Sequence, residues 1–314
     1  MSAVPEQTLA LFPGALGDLL CCWPALEGLR RRSSAALTVA ARDAWFDVLP
    51  ADRVTPMSID RREISDLFST GALSDASRRL FGKFARVESW TGHGDENFTR
   101  RLAEASRGAI AVHPFRALAP DEHASQYYAR CLGVVPILEP FAVRPEAARW
   151  VDAFWQRHGL RTNTLVIHPG SGGRHKNWQG MAEVATAWRA GGGSVVAISG
   201  PAEDERRSDI PHDVALQCER LDRVAAVLAR APRYLGNDSG ISHLAGVVGT
   251  RGVVAFGPTD PRAWRPLGDG LRVLHAPEAC RRCGPDGWCI HRLSVRAVLD
   301  ALRATPVAGS ASEA

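Results

Sequence analysis

The strongest constraint on the fold is a repeated order of short apolar runs, glycine-containing turns and helical stripes. An apolar run at residues 8–12 precedes a glycine-punctuated turn at 13–18, and a second run at 165–168 leads into the glycine-rich stretch 169–173. Apolar residues at helical spacing follow each turn. Alternation of this kind predicts parallel sheets covered by helices. The sequence therefore predicts an α/β chain of two doubly wound, Rossmann-like parallel sheets facing each other across a cleft.

A cluster of prolines within residues 133–146 predicts the linker between the two halves. We therefore expect an N-terminal domain at 1–140 and a C-terminal domain at 141–304. Residues 305–314 are expected to form a disordered tail. Pro24 lies inside the first helical stripe, and we expect it to kink or restart that helix.

Composition narrows the class of protein. The 314 residues are 45% hydrophobic and 23% charged, with a formal net charge of +4, which does not favour nucleic acid as a partner. No apolar run approaches the roughly 20 residues that span a bilayer, and no signal peptide is evident, so a cytoplasmic protein is expected. The seven cysteines, an odd number, fit a reducing compartment. Four of them are expected to be buried small hydrophobes: Cys21, Cys22, Cys131 and Cys218.

Three further cysteines and a histidine form a possible structural zinc motif, C-x2-C-x5-C-x-H. Its residues are Cys280, Cys283, Cys289 and His291. They have the ligand types and number of a tetrahedral zinc site, but the second gap is shorter than the usual finger spacing. We favour ordinary thiols over zinc here and expect no metal in the active site.

The segment from Leu235 to Ala245 reads as strand, tight turn and helix. Asp238 is the predicted N-cap, and the small residues Ser239 and Gly240 leave the helix end open. Backbone N–H groups and the helix dipole at such an end favour an anion. His243 lies about one turn further on. The alternative is an ordinary capped helix in which Asp238 only satisfies backbone donors.

Three turns of the second half fall at predicted strand carboxyl ends, at residues 169–176, 200–203 and 236–243. The first is glycine-rich, so its amides could approach a phosphate closely, and Lys176 would add a positive charge. Lys83 is the other lysine of the chain. Together these turns predict a diphosphate site, while a flexible surface loop with a solvated lysine is the alternative. Neither a Walker loop nor a G-x-G-x-x-G fingerprint is present.

In the first half, the turn from Gly14 to Asp18 also falls at the carboxyl edge of a predicted sheet, where ligands of open α/β sheets bind. A carboxylate there could take a proton from an attacking hydroxyl. Capping of the first helix is the alternative role for Asp18.

Four segments together resemble the lipopolysaccharide heptosyltransferases of glycosyltransferase family 9. They follow the family's order and span most of residues 9–265. They are Gly14-Ala15-Leu16-Gly17-Asp18 with Pro24-Ala25-Leu26, His168-Pro169-Gly170-Ser171-Gly172-Gly173 with Lys176 and Trp178, Gly236 to Ala245, and Phe256-Gly257-Pro258-Thr259-Asp260-Pro261.

The resemblance implies a GT-B enzyme that transfers heptose with inversion from ADP-heptose to a glycan or glycolipid acceptor, without metal or cofactor. It implies that the N-terminal domain handles the acceptor, with Asp18 as general base and Gly14, Ala15 and Gly17 in the acceptor-side loop. Lys176 would hold the donor diphosphate. The implied donor-binding residues are Ser171, Gly172, Gly173, Glu203, Asp238, Ser239, Gly240 and His243. A lipid-linked acceptor further implies peripheral contact with the cytosolic face of the inner membrane.

One departure from the family pattern concerns the acceptor. Family members usually carry a basic residue six positions before the catalytic aspartate, where this chain has Phe12. Two other hypotheses therefore stand beside the first. One is the same fold acting on a different nucleotide sugar or acceptor, and the other is a non-catalytic nucleotide-sugar-binding module.

Overall fold

The computed structural model describes residues 7–33, 36–200, 210–217, 219–275 and 289–305. The chain divides into two compact units, Met1–Leu138 and Glu139–Ala314. Each unit has its own hydrophobic core and its own parallel sheet.

The first unit alternates strands and helices from its start. Its described elements are β1 (Gln7–Leu11), α1 (Leu16–Ser33), β2 (Ala36–Ala41), β3 (Val54–Ser58), α2 (Arg62–Ser65), α3 (Asp75–Phe81), β4 (Arg86–Ser89), α4 (Glu96–Ala105), β5 (Ala109–Val112) and α5 (Ala124–Leu132).

The first sheet has the order β3-β2-β1-β4-β5, and all of its strand pairs are parallel. The chain moves outward from β1 through β2 and β3, then crosses to the other side of β1 for β4 and β5. The topological switch point therefore lies between β1 and β4, and ligands of open sheets bind at the carboxyl ends of the strands beside such a point. The turn that carries Asp18 follows β1 directly.

Helix α1 is continuous through Pro24, so the predicted restart at this residue is wrong. Proline removes one intrahelical donor, a loss that packing of the surrounding helix can offset. Here α5 packs along α1, and the Pro24 carbonyl accepts a hydrogen bond from the Ile137 amide at 2.9 Å. Tertiary contacts thus hold the helix through the proline.

The second unit repeats the alternation. Its described elements are α6 (Pro145–Arg157), β6 (Thr164–His168), α7 (Met181–Ala190), β7 (Ser194–Ser199), β8 (Val214–Gln217), α8 (Leu221–Arg230), β9 (Arg233–Asn237), α9 (Gly240–Val247), β10 (Gly252–Ala255), α10 (Pro261–Trp264), β11 (Leu271–Leu274) and α11 (Val295–Ala304).

The second sheet is also parallel, in the order β11-β10-β9-β6-β7-β8. The chain runs from β6 outward through β7 and β8, then returns to the other side of β6 for β9. The switch point therefore lies between β6 and β9. The loops after these two strands are two of the three turns that the sequence singled out. The third, after β7, lies outside the described residues beyond Gly200.

Across the described ranges, no helix combines the length and apolar character that crossing a membrane requires.

Candidate active site

A buried asparagine joins the loops that follow β6 and β9. Asn237, at the end of β9, donates from Nδ2 to the Pro169 carbonyl at 2.7 Å. Its Oδ1 accepts from the Trp178 amide at 3.1 Å. The Trp178 indole donates in turn to the Leu293 carbonyl at 3.0 Å. The two loops are therefore fixed to each other at the switch point, with Trp178 anchored in the core of the unit.

Lys176 and Asp238 form an ion pair at this switch point. The Lys176 ammonium lies 2.7 Å from Asp238 Oδ2, and the side chains are 27% and 8% exposed. Asp238 is therefore not the N-cap that the sequence predicted. The cap is Ser239, whose Oγ accepts from the Ser242 amide at 3.2 Å. The shift by one residue leaves the Asp238 carboxylate facing the lysine instead of the helix.

His168, at the end of β6, supports the helix cap. Its Nδ1 lies 3.3 Å from Ser239 Oγ, and the side chain is buried. Burial lowers the pKa of His168 to about 4, so the imidazole is neutral at physiological pH. The second quoted motif contains His168, but sequence reasoning gave this residue no role. The sequence pattern does not distinguish a histidine buried in a strand from one that belongs to a binding site.

The glycine-rich loop is organised around Ser171. The Ser171 hydroxyl lies 2.6 Å from the Gly173 carbonyl and 2.5 Å from Asn177 Oδ1, and the Gly173 amide is directed back to Ser171 Oγ at 3.3 Å. At Gly172 an added Cβ would meet open space. The loop is therefore ordered by its own hydrogen bonds and is open on one side.

The other predicted donor residues of the described part lie in the same unit. Gly240 begins α9 and is partly exposed, while His243 lies buried in the first turn of the helix. The structure thus brings the β6 loop, the Lys176–Asp238 pair and the start of α9 together. Glu203 lies outside the described residues.

Asp18 lies in the first turn of α1, in the first unit, and is buried. Its Oδ2 accepts from the Ala15 amide at 3.2 Å, as the capping alternative predicts. The Arg116 guanidinium also reaches the carboxylate, with Nη2 2.7 Å from both oxygens and Nε 3.1 Å from Oδ1. Asp18 is therefore a helix-end acceptor and one half of an ion pair. No pattern in the sequence marks Arg116, which is 98 residues away from Asp18.

The acceptor-side turn is tightly packed around Gly14. A Cβ at Gly14 would lie 2.5 Å from the Phe12 ring and 2.9 Å from Asp18 Cβ, so this position needs glycine. The Trp45 indole donates to the Gly14 carbonyl at 3.3 Å. Ala15 completes the turn, whereas Gly17, predicted to lie in the loop, is the second residue of α1.

Phe12 is fully buried and belongs to an aromatic cluster. Its ring centroid lies 5.6 Å from that of Trp90, 5.8 Å from Phe115 and 5.5 Å from Tyr128. The position where the family usually has a basic residue is thus part of the packing under the Asp18 turn.

The cysteine predictions have a mixed outcome. Cys21 and Cys22 are buried, as expected, but Cys131 is only partly buried, so its interpretation as a buried core residue is wrong. Three cysteines lie outside the described residues: Cys218, Cys280 and Cys283. Of the proposed zinc ligands, Cys289 is buried and His291 exposed. Within the ranges that the structure covers, no group of three potential ligands is arranged to hold a metal ion.

The two parallel sheets with their helices match the GT-B class of fold. Residues 140–286 match the family described as "Glycosyltransferase family 9 (heptosyltransferase)". Lipopolysaccharide heptosyltransferase 3 of Escherichia coli is 24% identical over 297 residues, which cover 81% of this chain and 84% of that protein.

Solved structures agree with this fold. The chain is similar to a glycosyl transferase family 9 structure from Veillonella parvula, with 19% identity, a TM-score of 0.77 and coverage of 96% of this chain and 98% of that one. It is also similar to E. coli heptosyltransferase WaaC with ADP, with 20% identity, a TM-score of 0.65 and coverage of 96% and 100%. Residues 140–286 therefore form a glycosyltransferase family 9 domain, the chain is a glycosyltransferase, and the predicted fold is confirmed.

Proposed function

We propose that this enzyme transfers heptose, with inversion, from ADP-heptose to a lipopolysaccharide-core-type or related glycan acceptor. The observation that carries the proposal is the Lys176–Asp238 ion pair beside the Ser239-capped end of α9, at the switch point of the second sheet. Positive charge and a helix N-terminus at this edge suit a nucleoside diphosphate.

The donor chemistry follows from what each group can accept or donate. The Lys176 ammonium has three N–H donors, of which Asp238 takes one, so two can bind phosphate oxygens and stabilise the leaving diphosphate. An ionised Asp238 only accepts hydrogen bonds, which suits sugar hydroxyls. Amides of the Ser171–Gly173 loop and the start of α9 at Gly240 supply further donors. These groups take the place of a metal ion in the proposal, and Glu203 and His243 complete the donor set.

Asp18 is the proposed general base. Its carboxylate would take the proton of the acceptor hydroxyl as that oxygen attacks the anomeric carbon and the carbon–phosphate oxygen bond breaks. Arg116 occupies both carboxylate oxygens. We therefore propose that Arg116 withdraws from one oxygen when the acceptor binds, since Arg116 and the Ala15 amide together place two donors on each carboxylate oxygen and leave no lone pair for a proton.

The similar proteins support the proposed ADP-heptose donor more strongly than they support the proposed glycan acceptor. WaaC of E. coli has been solved with ADP and with ADP-2-deoxy-2-fluoro heptose. The buried aromatic cluster around Phe12 favours a second candidate, in which the same donor chemistry serves an acceptor that needs no cation at this position. In either case the N-terminal unit is the proposed acceptor side. A lipid-linked acceptor would bring peripheral contact with the cytosolic face of the inner membrane.

The two lysines of the chain provide a matched test of the donor site. We expect Lys176→Met to weaken ADP binding at least tenfold by calorimetric titration, because the phosphates lose a charged donor. Lys83→Met removes the same charge from an exposed position of the first unit and should leave ADP binding unchanged. Circular dichroism checks folding of both variants. Equal ADP affinity in wild type and Lys176→Met would contradict the donor site.

A measurement of turnover tests the proposal that Asp18 is the general base. ADP release from ADP-heptose is measured with and without a Kdo-lipid acceptor. Asp18→Asn keeps an acceptor oxygen for the Ala15 amide but cannot take a proton, so we expect kcat to fall by about 100-fold or more with ADP affinity retained. Asp52→Asn, at an 80% exposed side chain of the same unit, is the control.

The outcomes separate the hypotheses. Acceptor-dependent release that Asp18→Asn abolishes supports the full proposal. ADP binding without release on this acceptor favours the second candidate, and a screen of other glycans then follows. Wild-type kcat in Asp18→Asn would exclude Asp18 as the base.

A further inference from the structure

The charges of the first unit are distributed unevenly between the two edges of its sheet. Residues 1–138 contain 16 lysines and arginines and 16 aspartates and glutamates. In this parallel sheet the chain enters every strand at the amino edge, opposite the edge that carries the Asp18 turn. The segments in which helices end or strands begin therefore lie at the amino edge. They are 29–33, 50–54, 78–86, 104–109 and 130–138.

These five segments make the amino edge strongly basic. They contain ten of the 16 basic residues of the unit and two of its 16 acidic residues. The arginines at 30–32 also complement the carboxyl end of α1, and the first two of them pair with Glu27. Acidic partners that reach these segments from outside them are Glu27, Glu88 and Glu122. Even with these three counted, the edge retains an excess of five positive charges.

Two exposed apolar side chains lie at the same edge, in the segment that follows α5. Val135 is 79% exposed and Leu138 is 44% exposed. The segment is joined to the end of α1, because Arg32 Nη1 donates to the Gly133 carbonyl at 2.7 Å. The apolar side chains are therefore held beside the arginines at 30–32.

The backbone of this segment is packed closely on α1. The Ile137 amide donates to the Pro24 carbonyl at 2.9 Å. A Cβ at Gly28 would lie 2.3 Å from the Val135 carbonyl oxygen, so the contact requires glycine in the helix. The exposure of Val135 thus belongs to a segment whose backbone is fixed by the fold.

Positive charge next to exposed aliphatic side chains is the combination that favours an anionic lipid surface. Guanidinium groups bind the phosphates of the headgroups, and aliphatic side chains enter the boundary between headgroups and acyl chains. Nucleic acid would use the charge but offers no apolar environment to Val135 and Leu138. The rest of the unit contains 14 acidic and six basic residues, so an anionic surface repels it and attracts the amino edge.

We propose that the amino edge of the first unit docks on anionic phospholipid membranes. The arginines at 30–32 contact headgroup phosphates, and Val135 and Leu138 enter the acyl boundary. The proposal rests on the proposed function only in its choice of the cytosolic face of the inner membrane as the source of the lipid. Because this edge is opposite the Asp18 turn, docking leaves the acceptor side of the unit open.

The first experiment measures co-sedimentation of the full chain with two kinds of vesicle. One contains phosphatidylcholine alone, and the other contains equal parts of phosphatidylcholine and phosphatidylglycerol. We expect binding to the anionic vesicles to be at least about tenfold tighter, and to weaken when the ionic strength is raised from about 0.05 M to about 0.5 M. Equal binding to both vesicles, or no binding to either, overturns the proposal.

A matched pair of double variants tests the position of the charges. Arg31→Gln with Arg32→Gln removes two charges from the amino edge, so we expect weaker binding to the anionic vesicles. Arg42→Gln with Arg62→Gln removes two charges from exposed positions after β2 and β3, at the opposite edge, and should leave the binding unchanged. Circular dichroism checks the folding of both proteins. An equal loss of binding in the two proteins would refute docking through the amino edge.

The apolar contribution separates a membrane from a polyanion. Val135→Ser with Leu138→Ser should weaken binding to the anionic vesicles by about tenfold or more, because two side chains lose their transfer into the acyl boundary. Unchanged vesicle affinity in this protein, or binding to RNA without binding to vesicles, would overturn the lipid assignment. ADP binding is measured in parallel. Wild-type protein that binds ADP but not vesicles contradicts this inference alone, whereas binding to vesicles without ADP contradicts only the donor site.

Discussion

Acidification should destabilise the second unit through His168. Burial lowers the pKa of this imidazole to about 4, whereas an unfolded chain has a histidine pKa of about 6.5. Between these values the unfolded state binds a proton that the folded state does not. The free energy of unfolding therefore falls as the pH drops from 6.5 to 4, and the effect of His168 is absent above that window.

The magnitude follows from the two pKa values. Each pH unit inside the window costs about 1.4 kcal/mol, so lowering the pH from about 7.5 to 5.0 should cost about 2 kcal/mol at this residue. His168 is 3% exposed, so solvent screening does not reduce the effect much. His113 acts oppositely, because its raised pKa gives stability that is full below about pH 6.5 and is lost as the pH rises through about 9.

A variant isolates the His168 contribution from that of His113. In His168→Asn, the side-chain amide takes the place of Nδ1 near Ser239 and does not titrate. Urea unfolding is followed by far-UV circular dichroism at pH 7.5 and 5.0, with His158→Asn, at an exposed position of the same unit, as the control. Wild type and the control should each lose about 2 kcal/mol more than His168→Asn on acidification. Parallel pH dependence in wild type and His168→Asn would refute the reasoning.

Two further predictions concern packing. In Gly236→Ala, the new Cβ would lie 2.2 Å from the Tyr234 hydroxyl, so we expect a loss of about 1–3 kcal/mol, whereas Gly172→Ala faces open space and should be neutral. Thermal unfolding measures both. Arg101→Met should destabilise the first unit by about 3 kcal/mol, because the 2% exposed guanidinium bonds to the Asp66 and Gly71 carbonyls and to the Asp66 carboxylate. Arg100→Met, at a 64% exposed side chain, should cost little. An equal effect of the two arginine variants in urea unfolding would contradict this.

The alternation of strands and helices was predictable because strand burial and helix periodicity are local properties. The apolar run at residues 165–168 lies within β6, and the turn before α9 falls where the glycine and small residues indicate. The continuity of α1 through Pro24 was not predictable, because it depends on α5, a helix that follows 100 residues later in the chain. The local sequence shows that proline removes a hydrogen bond from the helix, but it does not show the packing that offsets this loss.

The site was predictable as a set of loops and not as a set of contacts. Sequence reasoning placed Asp18, Lys176 and Asp238 in the segments that follow strands, and the structure has them there, with Asp18 already in the first turn of α1. It misassigned the cap by one residue, since Asp238 and Ser239 are both good N-caps and only the ion pair with Lys176 distinguishes them. Arg116 gave no signal, because nothing in a chain rich in arginine marks the one that reaches Asp18.

In both units, the residue assigned to chemistry is held by an opposite charge from another part of the chain. Asp18 is paired with Arg116 in the first unit, and Lys176 with Asp238 in the second. Each pair holds its functional group in place without a ligand, so the ligand has to compete with an existing partner. A turnover variant at one member of a pair therefore changes two things, the lost group and the released partner. Only a double-mutant cycle across Asp18 and Arg116 separates the loss of a base from the release of a guanidinium.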